Sequence, residues 1–378
     1  MRATFPSSLA ALVAVSLLAG CGYERPVGKN DGWRTGPASS FGVSEYWLAA
    51  MSALAERPET GIHSVLVVKD GVLVFEGYYN GWDPEEPHAL FSVSKSVTSM
   101  LVGIAVEAGS LPGIHVPAAR YFPAVRGPGW TADKDGIELA HLLSNTSGLR
   151  WEEWEIPYTD PGNSHYRMTH ADDWTGFVLN EPLTGNPGHG FEYNTGGFFV
   201  LGQVLKQAVG TSADRYSERV LLEPLGIEEH AWARNERDKV CAGGSYGGLR
   251  LKSRDLARVG VMVLDDGRWQ GRQVVPAEWL EESTTRRAGL DPYVGYGYGW
   301  WVYDLPGFGR RVRFTAGMGY GGQALLVFPD HDAVVVLTSD HRDPDMNRLI
   351  PCMACLMTAI LGPDAIPAGA QLTSSMGG

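Results

Sequence analysis

The chain has 378 residues, of which 44% are hydrophobic, so it can bury a large core and a mainly disordered protein is excluded. Its formal net charge of −12 disfavours nucleic acid and anionic membrane surfaces as partners, because neither attracts an acidic protein. A small or neutral substrate is compatible with this charge.

The N-terminal residues have the pattern of an export signal. Residues 1–20 contain one basic residue, an apolar stretch and small residues directly before Cys21. The sequence L-A-G-C resembles a bacterial lipobox, which implies a lipoprotein signal peptide at residues 1–20 and a lipid anchor on Cys21. An ordinary signal peptide is the alternative. We therefore expect an exported, membrane-anchored lipoprotein, periplasmic or otherwise extracytoplasmic, in which residues 21–40 form a flexible linker rich in Gly, Pro and Ser.

The first regular elements are predicted after this linker. Two β-branched runs, joined by Lys69-Asp70-Gly71, predict a β-hairpin over residues 62–79. Apolar residues then recur at helical spacing, and they predict a helix over residues 92–109.

Ser92 and Lys95 stand three residues apart where this helix is predicted to begin. Both side chains then project from one face of the first turn, with the lysine nitrogen within reach of the serine oxygen. A serine hydroxyl needs a neighbouring base to become a nucleophile, and lysine can serve only in its neutral form. Burial and the helix N-terminus are expected to lower the pKa of Lys95. The backbone N–H of Ser92 is a candidate oxyanion donor, although S-x-x-K alone also occurs by chance.

The remaining elements predict an α+β fold. An irregular region at residues 150–190 is interpreted as a binding wall. Helices are expected at residues 198–209 and 213–221, after the N-cap Ser253, and at the end of the chain up to about Leu361. Strand patterns return at residues 296–303, 310–314, 323–329 and 333–339. These elements predict one antiparallel sheet built from the N- and C-terminal segments and flanked by helices, with an inserted, mainly helical region and a disordered tail at residues 363–378.

Six motifs follow one another in a characteristic order. They are F-S-V-S-K-S-V-T-S, L-L-S-N-T-S-G-L, P-G-H-G-F-E-Y-N-T-G-G-F-F-V-L-G, G-G-L-R-L-K-S-R-D-L-A-R-V-G, Y-G-Y-G-W-W and G-M-G-Y-G-G-Q. Together they resemble the serine hydrolases related to class C β-lactamases and penicillin-binding proteins, and within them the branch that contains 6-aminohexanoate-dimer hydrolase. The resemblance covers about residues 60–345 and implies a β-lactamase/transpeptidase-like serine hydrolase domain at residues 41–362.

The resemblance also implies roles for individual residues. Ser92 corresponds to the acylated nucleophile, Lys95 to its base, and Tyr193 to the group that relays protons between nucleophile, leaving group and water. Lys95 is expected to lower the pKa of Tyr193, although without the resemblance a tyrosine is more often a packing residue. The N–H groups of Ser92 and Tyr320 are expected to form the oxyanion hole. No metal or organic cofactor is implied.

Four further residues are predicted to bind the substrate. They are Asn194, Gly319, Gly321 and Trp151. The glycines would let the backbone approach closely, and Trp-rich surroundings indicate an apolar or aromatic substrate, although tryptophans also pack cores.

Two departures from the family pattern bear on the substrate. Thr195 occupies a place where the family often has asparagine, and Gly317 stands where Lys or His usually grips a substrate carboxylate. We therefore expect a small-molecule ester or linear amide as substrate. A β-lactamase, a D-alanyl-D-alanine carboxypeptidase, and a slowly turning-over sensor or cell-wall binder are the alternatives.

Three other groups of residues receive less weight. Ser245 lies in G-x-S-x-G with His331 or His341 downstream, but its flanks do not read as the strand and helix of an α/β-hydrolase elbow. Cys352 and Cys355 form C-x-x-C in an apolar segment and are interpreted as buried thiols. A last group is interpreted as a solvated loop rather than a metal site: His165, His170, Asp172 and Asp173. The oligomeric state is left open.

Overall fold

The structure is a computed structural model that describes residues 23–128, 130–306, 311–341 and 348–362. The predicted signal peptide, the lipid-anchor residue Cys21 and the predicted tail lie outside these residues. No helix in the described part of the chain is both long and apolar enough to cross a membrane.

Ten α-helices and thirteen strands are found in the described residues. The helices are α1 (Glu45–Ala55), α2 (Val93–Glu107), α3 (Leu139–Leu143), α4 (Ser164–Thr169), α5 (Trp174–Asn180), α6 (Thr195–Val209), α7 (Ala213–Ser217), α8 (Ser253–Leu264), α9 (Ala277–Thr284) and α10 (Ile350–Leu361). The strands are β1 (Ile62–Lys69), β2 (Val72–Tyr78), β3 (His88–Ala89), β4 (His230–Trp232), β5 (Leu249–Leu251), β6 (Arg268–Trp269), β7 (Arg272–Gln273), β8 (Ala288–Gly289), β9 (Val294–Tyr296), β10 (Trp301–Pro306), β11 (Arg311–Gly319), β12 (Gln323–Phe328) and β13 (Ala333–Ser339).

An eight-stranded antiparallel sheet has the strand order β2-β1-β13-β12-β11-β10-β9-β8. The N-terminal strand β1 pairs with the C-terminal strand β13, so the sheet joins both ends of the chain. Every residue of β12 and β13 is buried, which explains why these strands read as continuous apolar runs. The predicted α+β fold, with a mainly helical insertion between the two sheet segments, is confirmed.

One turn between strands was predicted correctly from the sequence, and another was missed. Asp70 and Gly71, with φ of 52° and 69°, form the tight turn of the predicted hairpin. The single strand predicted at residues 296–303 is wrong, because the chain reverses between β9 and β10. Gly299 has φ of 79° in that reversal, and a Cβ atom there would lie 2.7 Å from the carbonyl oxygen of Lys95. Glycine is therefore required for the turn to approach α2.

Residues 23–40 pack against the rest of the protein, so the flexible linker predicted for residues 21–40 is wrong over its described part. The hydroxyl of Tyr23 donates to the carbonyl of Val74 at 2.8 Å, and Trp33 is buried. Asp31 accepts a hydrogen bond of 2.5 Å from Arg254 of α8. Composition alone predicted a flexible segment because these residues are rich in Gly and Pro. Two aromatic rings and one carboxylate nevertheless attach the segment to the rest of the protein.

Packing of helices against the sheet positions the start of α2. Helix α8 packs across β1, β12 and β13, while α2 packs against β11 and β12. Helix α6, from the helical insertion, packs on α2. The N-terminal turn of α2 therefore lies between the sheet and the helical insertion.

Candidate active site

Ser92 directly precedes α2 and is partly exposed. Phe91 before it has φ of 47°, a left-handed conformation that costs a bulky residue about 1–2 kcal/mol. Backbone hydrogen bonds hold this geometry: the N–H of Phe91 donates to the carbonyl of Gly247 at 2.8 Å, and that of Leu90 donates to Leu249 at 2.9 Å. Backbone strain that is maintained in this way is typical of functional sites.

Lys95 is 1% exposed, and its Nζ atom has three polar neighbours. It lies 2.8 Å from Ser92 Oγ, 2.8 Å from Thr195 Oγ1 and 2.7 Å from the carbonyl oxygen of Gly243. Burial disfavours the ammonium and lowers the pKa of Lys95 to about 7, against the opposing effect of the Glu153 carboxylate. The expected lowering of this pKa is therefore found.

Tyr193 is brought to the same place from the segment before α6. Its side chain is buried and interacts with that of Ser92, and Lys95 Nζ lies 4.7 Å from the ring centroid. The expectation that Lys95 lowers the pKa of Tyr193 is wrong: burial and the Glu153 carboxylate raise it. Tyr193 is therefore held as a neutral phenol that can donate a proton.

Glu153 is a residue of the site that the sequence did not single out. It is 2% exposed, and its carboxylate accepts hydrogen bonds from the Thr195 hydroxyl at 2.5 Å and the Thr195 N–H at 2.9 Å. Trp151 Nε1 donates at 2.6 Å and the Tyr158 hydroxyl at 2.9 Å. Burial alone would raise the pKa of Glu153, but nearby His165, Lys95 and the Thr195 hydrogen bonds outweigh burial and lower it. A charged carboxylate is thus buried beside the lysine.

Two of the predicted substrate contacts have structural roles. Trp151 is 1% exposed and is committed to Glu153, so it cannot line a substrate cavity. Asn194 is also buried, and its side-chain oxygen caps α6 by accepting from the N–H of Gly197 at 2.9 Å. The prediction that these two side chains contact substrate is corrected accordingly.

Half-buried Trp154, three residues after Trp151, contributes the aromatic surface next to Tyr193. Its ring stacks on that of Tyr193 with centroids 4.9 Å apart and on that of Trp301 with centroids 5.6 Å apart. Neither Trp154 nor Trp301 was singled out from the sequence. Trp151 and Trp154 are three residues apart in a region without a regular pattern. The sequence therefore did not indicate which of the two faces the site.

The predicted oxyanion segment lies next to the nucleophile. A Cβ atom on Gly319 would lie 2.3 Å from the carbonyl oxygen of Leu90, so the end of β11 approaches the chain that enters Ser92. The ring of Tyr320, which is 40% exposed, packs edge-on against Phe91 with centroids 5.7 Å apart. Gly321 is buried, and its carbonyl accepts from the N–H of His341 at 3.0 Å. Gly321 therefore shapes the turn rather than offering a substrate contact.

Gly317 faces α2 at very short range. A Cβ atom at this position would lie 3.0 Å from Ser96 Oγ and 3.2 Å from a methyl carbon of Val93. A side chain of any kind at this position would therefore be in tight contact with α2. The absence of a cation at Gly317 thus coincides with close packing of β11 on α2.

The rival nucleophile Ser245 does not stand in a hydrolase elbow. It begins a short turn, Ser245–Gly247, which is followed by β5 rather than by a helix. Its hydroxyl lies 2.9 Å from Nε2 of His165. His165 belongs to α4 and not to the solvated loop that was predicted.

No cluster of His, Cys, Asp and Glu suited to a metal ion is found among the described residues. Cys241, Cys352 and Cys355 are free and buried.

A comparison of the sequence with protein families identifies the fold and chemistry of this arrangement. The sequence pattern of the β-lactamase family matches residues 52–351. The chain belongs to the β-lactamase family. Its predicted β-lactamase/transpeptidase-like fold is thereby confirmed, and so is its membership of a family of serine hydrolases.

Relatives of this β-lactamase-family protein include hydrolases and penicillin-binding proteins. It is 27% identical over 318 residues to 6-aminohexanoate-dimer hydrolase of Paenarthrobacter ureafaciens, which covers 77% of this chain and 75% of the relative. Among solved structures it resembles EstCE1, a hydrolase with promiscuous acyltransferase activity, with a TM-score of 0.66, 17% identity and coverage of 84% and 98% of the two chains. It also resembles a penicillin-binding protein from Bacillus halodurans, with a TM-score of 0.64, 19% identity and coverage of 82% and 99%. These structural similarities concern the fold.

Proposed function

We propose that this protein is an exported hydrolase that cleaves an ester or a linear amide through an acyl-enzyme on Ser92. The observation that carries the proposal is the position of buried Lys95 Nζ, which lies 2.8 Å from Ser92 Oγ and 4.7 Å from the ring centroid of Tyr193. A lysine whose pKa is about 7 is substantially neutral at physiological pH, so a base stands ready beside the nucleophile.

Acylation is the first half of the proposed reaction. Neutral Lys95 takes the proton of the Ser92 hydroxyl while Oγ forms a bond to the substrate carbonyl carbon. The carbonyl oxygen gains negative charge, which the N–H groups of Ser92 and Tyr320 stabilise. The bond to the leaving group then breaks as Tyr193 donates its proton to the departing oxygen or nitrogen, and the Lys95 ammonium returns a proton to Tyr193.

Deacylation reverses these roles with water as the nucleophile. Water gives a proton to the Tyr193 and Lys95 pair while its oxygen bonds to the acyl carbon. The bond to Ser92 Oγ breaks, the proton returns to the serine, and the acid leaves. Every proton is accounted for by groups of this chain and by water.

The choice of ester or linear amide rests on Gly317. β-Lactams and peptides that end in D-Ala-D-Ala carry a carboxylate, which a cation at this place would bind. Gly317 itself carries no cation, and the close packing of its backbone against Ser96 and Val93 disfavours a longer side chain there. The name of the relative from Paenarthrobacter ureafaciens, a hydrolase of 6-aminohexanoate dimer, supports an amide among the substrates.

A screen of substrates with the full chain tests the proposal. Nitrophenyl esters of graded acyl length, 6-aminohexanoate dimer and nitrocefin are compared, and we expect turnover of short esters with little or none of nitrocefin. Ser92→Ala should abolish turnover and labelling by a serine-directed fluorophosphonate, whereas Ser245→Ala should preserve both. Labelling that is lost in Ser245→Ala instead would overturn the proposal.

Two alternatives are separated by the same measurements. Rapid nitrocefin hydrolysis would favour a β-lactamase and contradict the role given to Gly317. An acyl adduct on Ser92 that persists for hours would favour a sensor or cell-wall binder over a hydrolase. Mass spectrometry of the protein after a short exposure to ester measures that lifetime.

Export and lipid anchoring are part of the proposal and rest on residues 1–21 of the sequence. A cell that expresses the full chain should incorporate labelled palmitate into it, and Cys21→Ser should abolish the labelling. Equal labelling of both chains, or none of the wild type, would contradict the anchor at Cys21.

A further inference from the structure

A chain of three short contacts joins Ser92 to a buried carboxylate. Lys95 Nζ lies 2.8 Å from Ser92 Oγ and 2.8 Å from Thr195 Oγ1, and the Thr195 hydroxyl lies 2.5 Å from Glu153 Oε1. Glu153 and Thr195 come from parts of the sequence remote from the helical turn that carries Ser92 and Lys95, and Lys95, Thr195 and Glu153 are at most 3% exposed. The direction of each hydrogen bond in this chain follows from which atoms carry protons.

Glu153 sets the direction of the Thr195 hydroxyl. An ionised carboxylate only accepts hydrogen bonds, so the hydroxyl proton of Thr195 must point at Glu153. The oxygen of Thr195 then presents lone pairs, not a proton, to Lys95 Nζ. The third neighbour of Lys95 is the carbonyl oxygen of Gly243, which also can only accept.

These constraints fix the orientation of a neutral lysine amine. Neutral Nζ carries two protons and one lone pair, and it has three neighbours. Thr195 Oγ1 and the carbonyl of Gly243 each require a proton from it. The lone pair is left for the remaining neighbour, the hydroxyl of Ser92. The proton of that hydroxyl is the one that a general base must take.

We propose that Glu153 is a positioning residue, which acts through Thr195 to aim the lone pair of Lys95 at the hydroxyl of Ser92. This inference rests on the proposed function, because it concerns how the same nucleophile is activated. It gives Thr195 a defined task at the place where the family often has asparagine. Glu153 itself has no contact with Ser92 in this scheme.

Glu153→Gln is expected to reverse the direction of the hydrogen bonds that join residue 153, Thr195 and Lys95. The Oε2 side of Glu153 faces two obligatory donors, the N–H of Thr195 and Nε1 of Trp151, so the amide oxygen must stay there. The new amide nitrogen is then placed against the hydroxyls of Tyr158 and Thr195, which can both turn to accept. The freed proton of Thr195 is donated to Lys95 Nζ and occupies its lone pair.

Several charged or titratable groups surround the hydrogen-bonded series from Ser92 to Glu153, and a pH profile reports on all of them together. Lys95 of α2 interacts electrostatically with Glu153 and with His165 of α4, and it lies against the ring of Tyr193. The hydroxyl of Tyr158 donates a hydrogen bond to Glu153. Tyr320 interacts with Tyr158, and Glu192 lies within the field of Glu153. Removal of the Glu153 charge lowers the pKa of Lys95, because that carboxylate favours the ammonium.

The test measures the rate of Ser92 acylation by a nitrophenyl ester as a function of pH in the full chain. Glu153→Gln should lower the plateau rate by about 100-fold, the scale of a lost general base, and should shift the midpoint to lower pH. Thr195→Val should also lower the plateau, and Thr195→Ser should recover most of it because the hydroxyl is restored. In the Thr195→Val background, Glu153→Gln should have much less effect, because no hydroxyl remains to be reversed.

Controls separate positioning from loss of charge or fold. Glu152→Gln removes the same charge from the exposed neighbour and should change neither the plateau nor the midpoint. Melting temperatures identify any variant that fails to fold, and if Glu153→Gln is one, the comparison of Thr195→Val with Thr195→Ser decides. Plateau rates within twofold of wild type in both Glu153→Gln and Thr195→Val would overturn the inference.

Failure of the proposed function gives a different pattern. If Ser92→Ala is still acylated by the ester, the nucleophile has been misidentified and the proposed function falls. If Ser92→Ala is inert while Glu153→Gln and Thr195→Val acylate normally, the nucleophile stands and only the positioning role falls.

Discussion

Nζ of Lys95 lies 4.7 Å from the ring centroid of Tyr193, so the two groups share one buried space. Burial acts on their pKa values in opposite directions, lowering that of Lys95 to about 7 and raising that of Tyr193. In both cases it favours the neutral form. A neutral amine that can accept a proton therefore coexists with a neutral phenol that can donate one, which is the combination that acyl transfer needs.

The rate of Ser92 acylation should rise with pH and level off above about 7. Below the pKa of Lys95 the amine is an ammonium and cannot take the serine proton, so activity is lost as the pH falls through that value. The measurement is stopped-flow release of nitrophenolate over a pH range that brackets 7, corrected with Ser92→Ala. A rate that is constant or falls with rising pH in this range would exclude Lys95 as the base.

Tyr193→Phe should affect amides far more than nitrophenyl esters. The substitution removes only the hydroxyl, and an amine leaving group needs a proton that nitrophenolate does not. We expect kcat/KM to fall by about 100-fold or more on a linear amide and by a much smaller factor on the ester. Equal losses on both substrates would indicate that the phenol acts elsewhere in the reaction or merely packs.

The nucleophile and base could be predicted from the sequence because their relation is local. Ser92 and Lys95 are one helical turn apart, so the spacing alone brings them together once a helix begins there. Tyr193 lies about a hundred residues away and was found only through the motifs that resemble a family. The reversal at Gly299 was missed because aromatic residues on both sides read as one strand, and only the φ of 79° shows the turn.

Glu153 and Trp154 show where local pattern gives no answer. Glu152 and Glu153 are adjacent and chemically identical, yet the first is exposed and the second is 2% exposed because Thr195 and Trp151 converge on it. Trp151 and Trp154 likewise differ in burial although both stand in the same irregular region. Which member of each pair faces the site is decided by contacts with distant segments, and a single sequence does not contain that information.

Gly244→Ala should damage the site and lower stability. Gly244 has φ of 103°, and a Cβ atom would lie 2.8 Å from the backbone nitrogen of Ser92 and 2.5 Å from the carbonyl oxygen of Phe91. We expect the substitution to lower the free energy of unfolding by about 1–3 kcal/mol and to reduce kcat/KM, because the nucleophile is displaced. Denaturant unfolding and ester kinetics measure the two effects.

Gly210→Ala is the matched control for that substitution. Gly210 ends α6 with φ of 71°, and a Cβ atom there would meet no atom within 4 Å. It should lower stability by only about 1 kcal/mol through backbone strain and leave kcat/KM unchanged. Equal kinetic effects of the two substitutions would contradict the steric account of Gly244.

Arg254→Met should be among the more destabilising single substitutions, because it leaves a buried carboxylate without its partner. Arg254 Nε donates to Glu76 at 2.7 Å and Nη1 to Asp31 at 2.5 Å, with side chains of Arg254 and Glu76 only 8% and 9% exposed. Removal of one partner of a buried pair typically costs about 3–5 kcal/mol. Denaturant unfolding should show this loss, whereas Arg313→Met, which breaks an exposed pair with Asp330, should cost less than about 1 kcal/mol.

The double substitution Arg254→Met with Glu76→Leu distinguishes the reason for that loss. If the cost arises from the unpaired charge of Glu76, replacing both residues by apolar ones should recover much of the stability, because no buried charge remains. If the cost arises from release of the segment that contains Asp31, the double variant should be no more stable than Arg254→Met. Limited proteolysis within residues 23–40 provides the independent readout, since release of that segment would expose it in both variants.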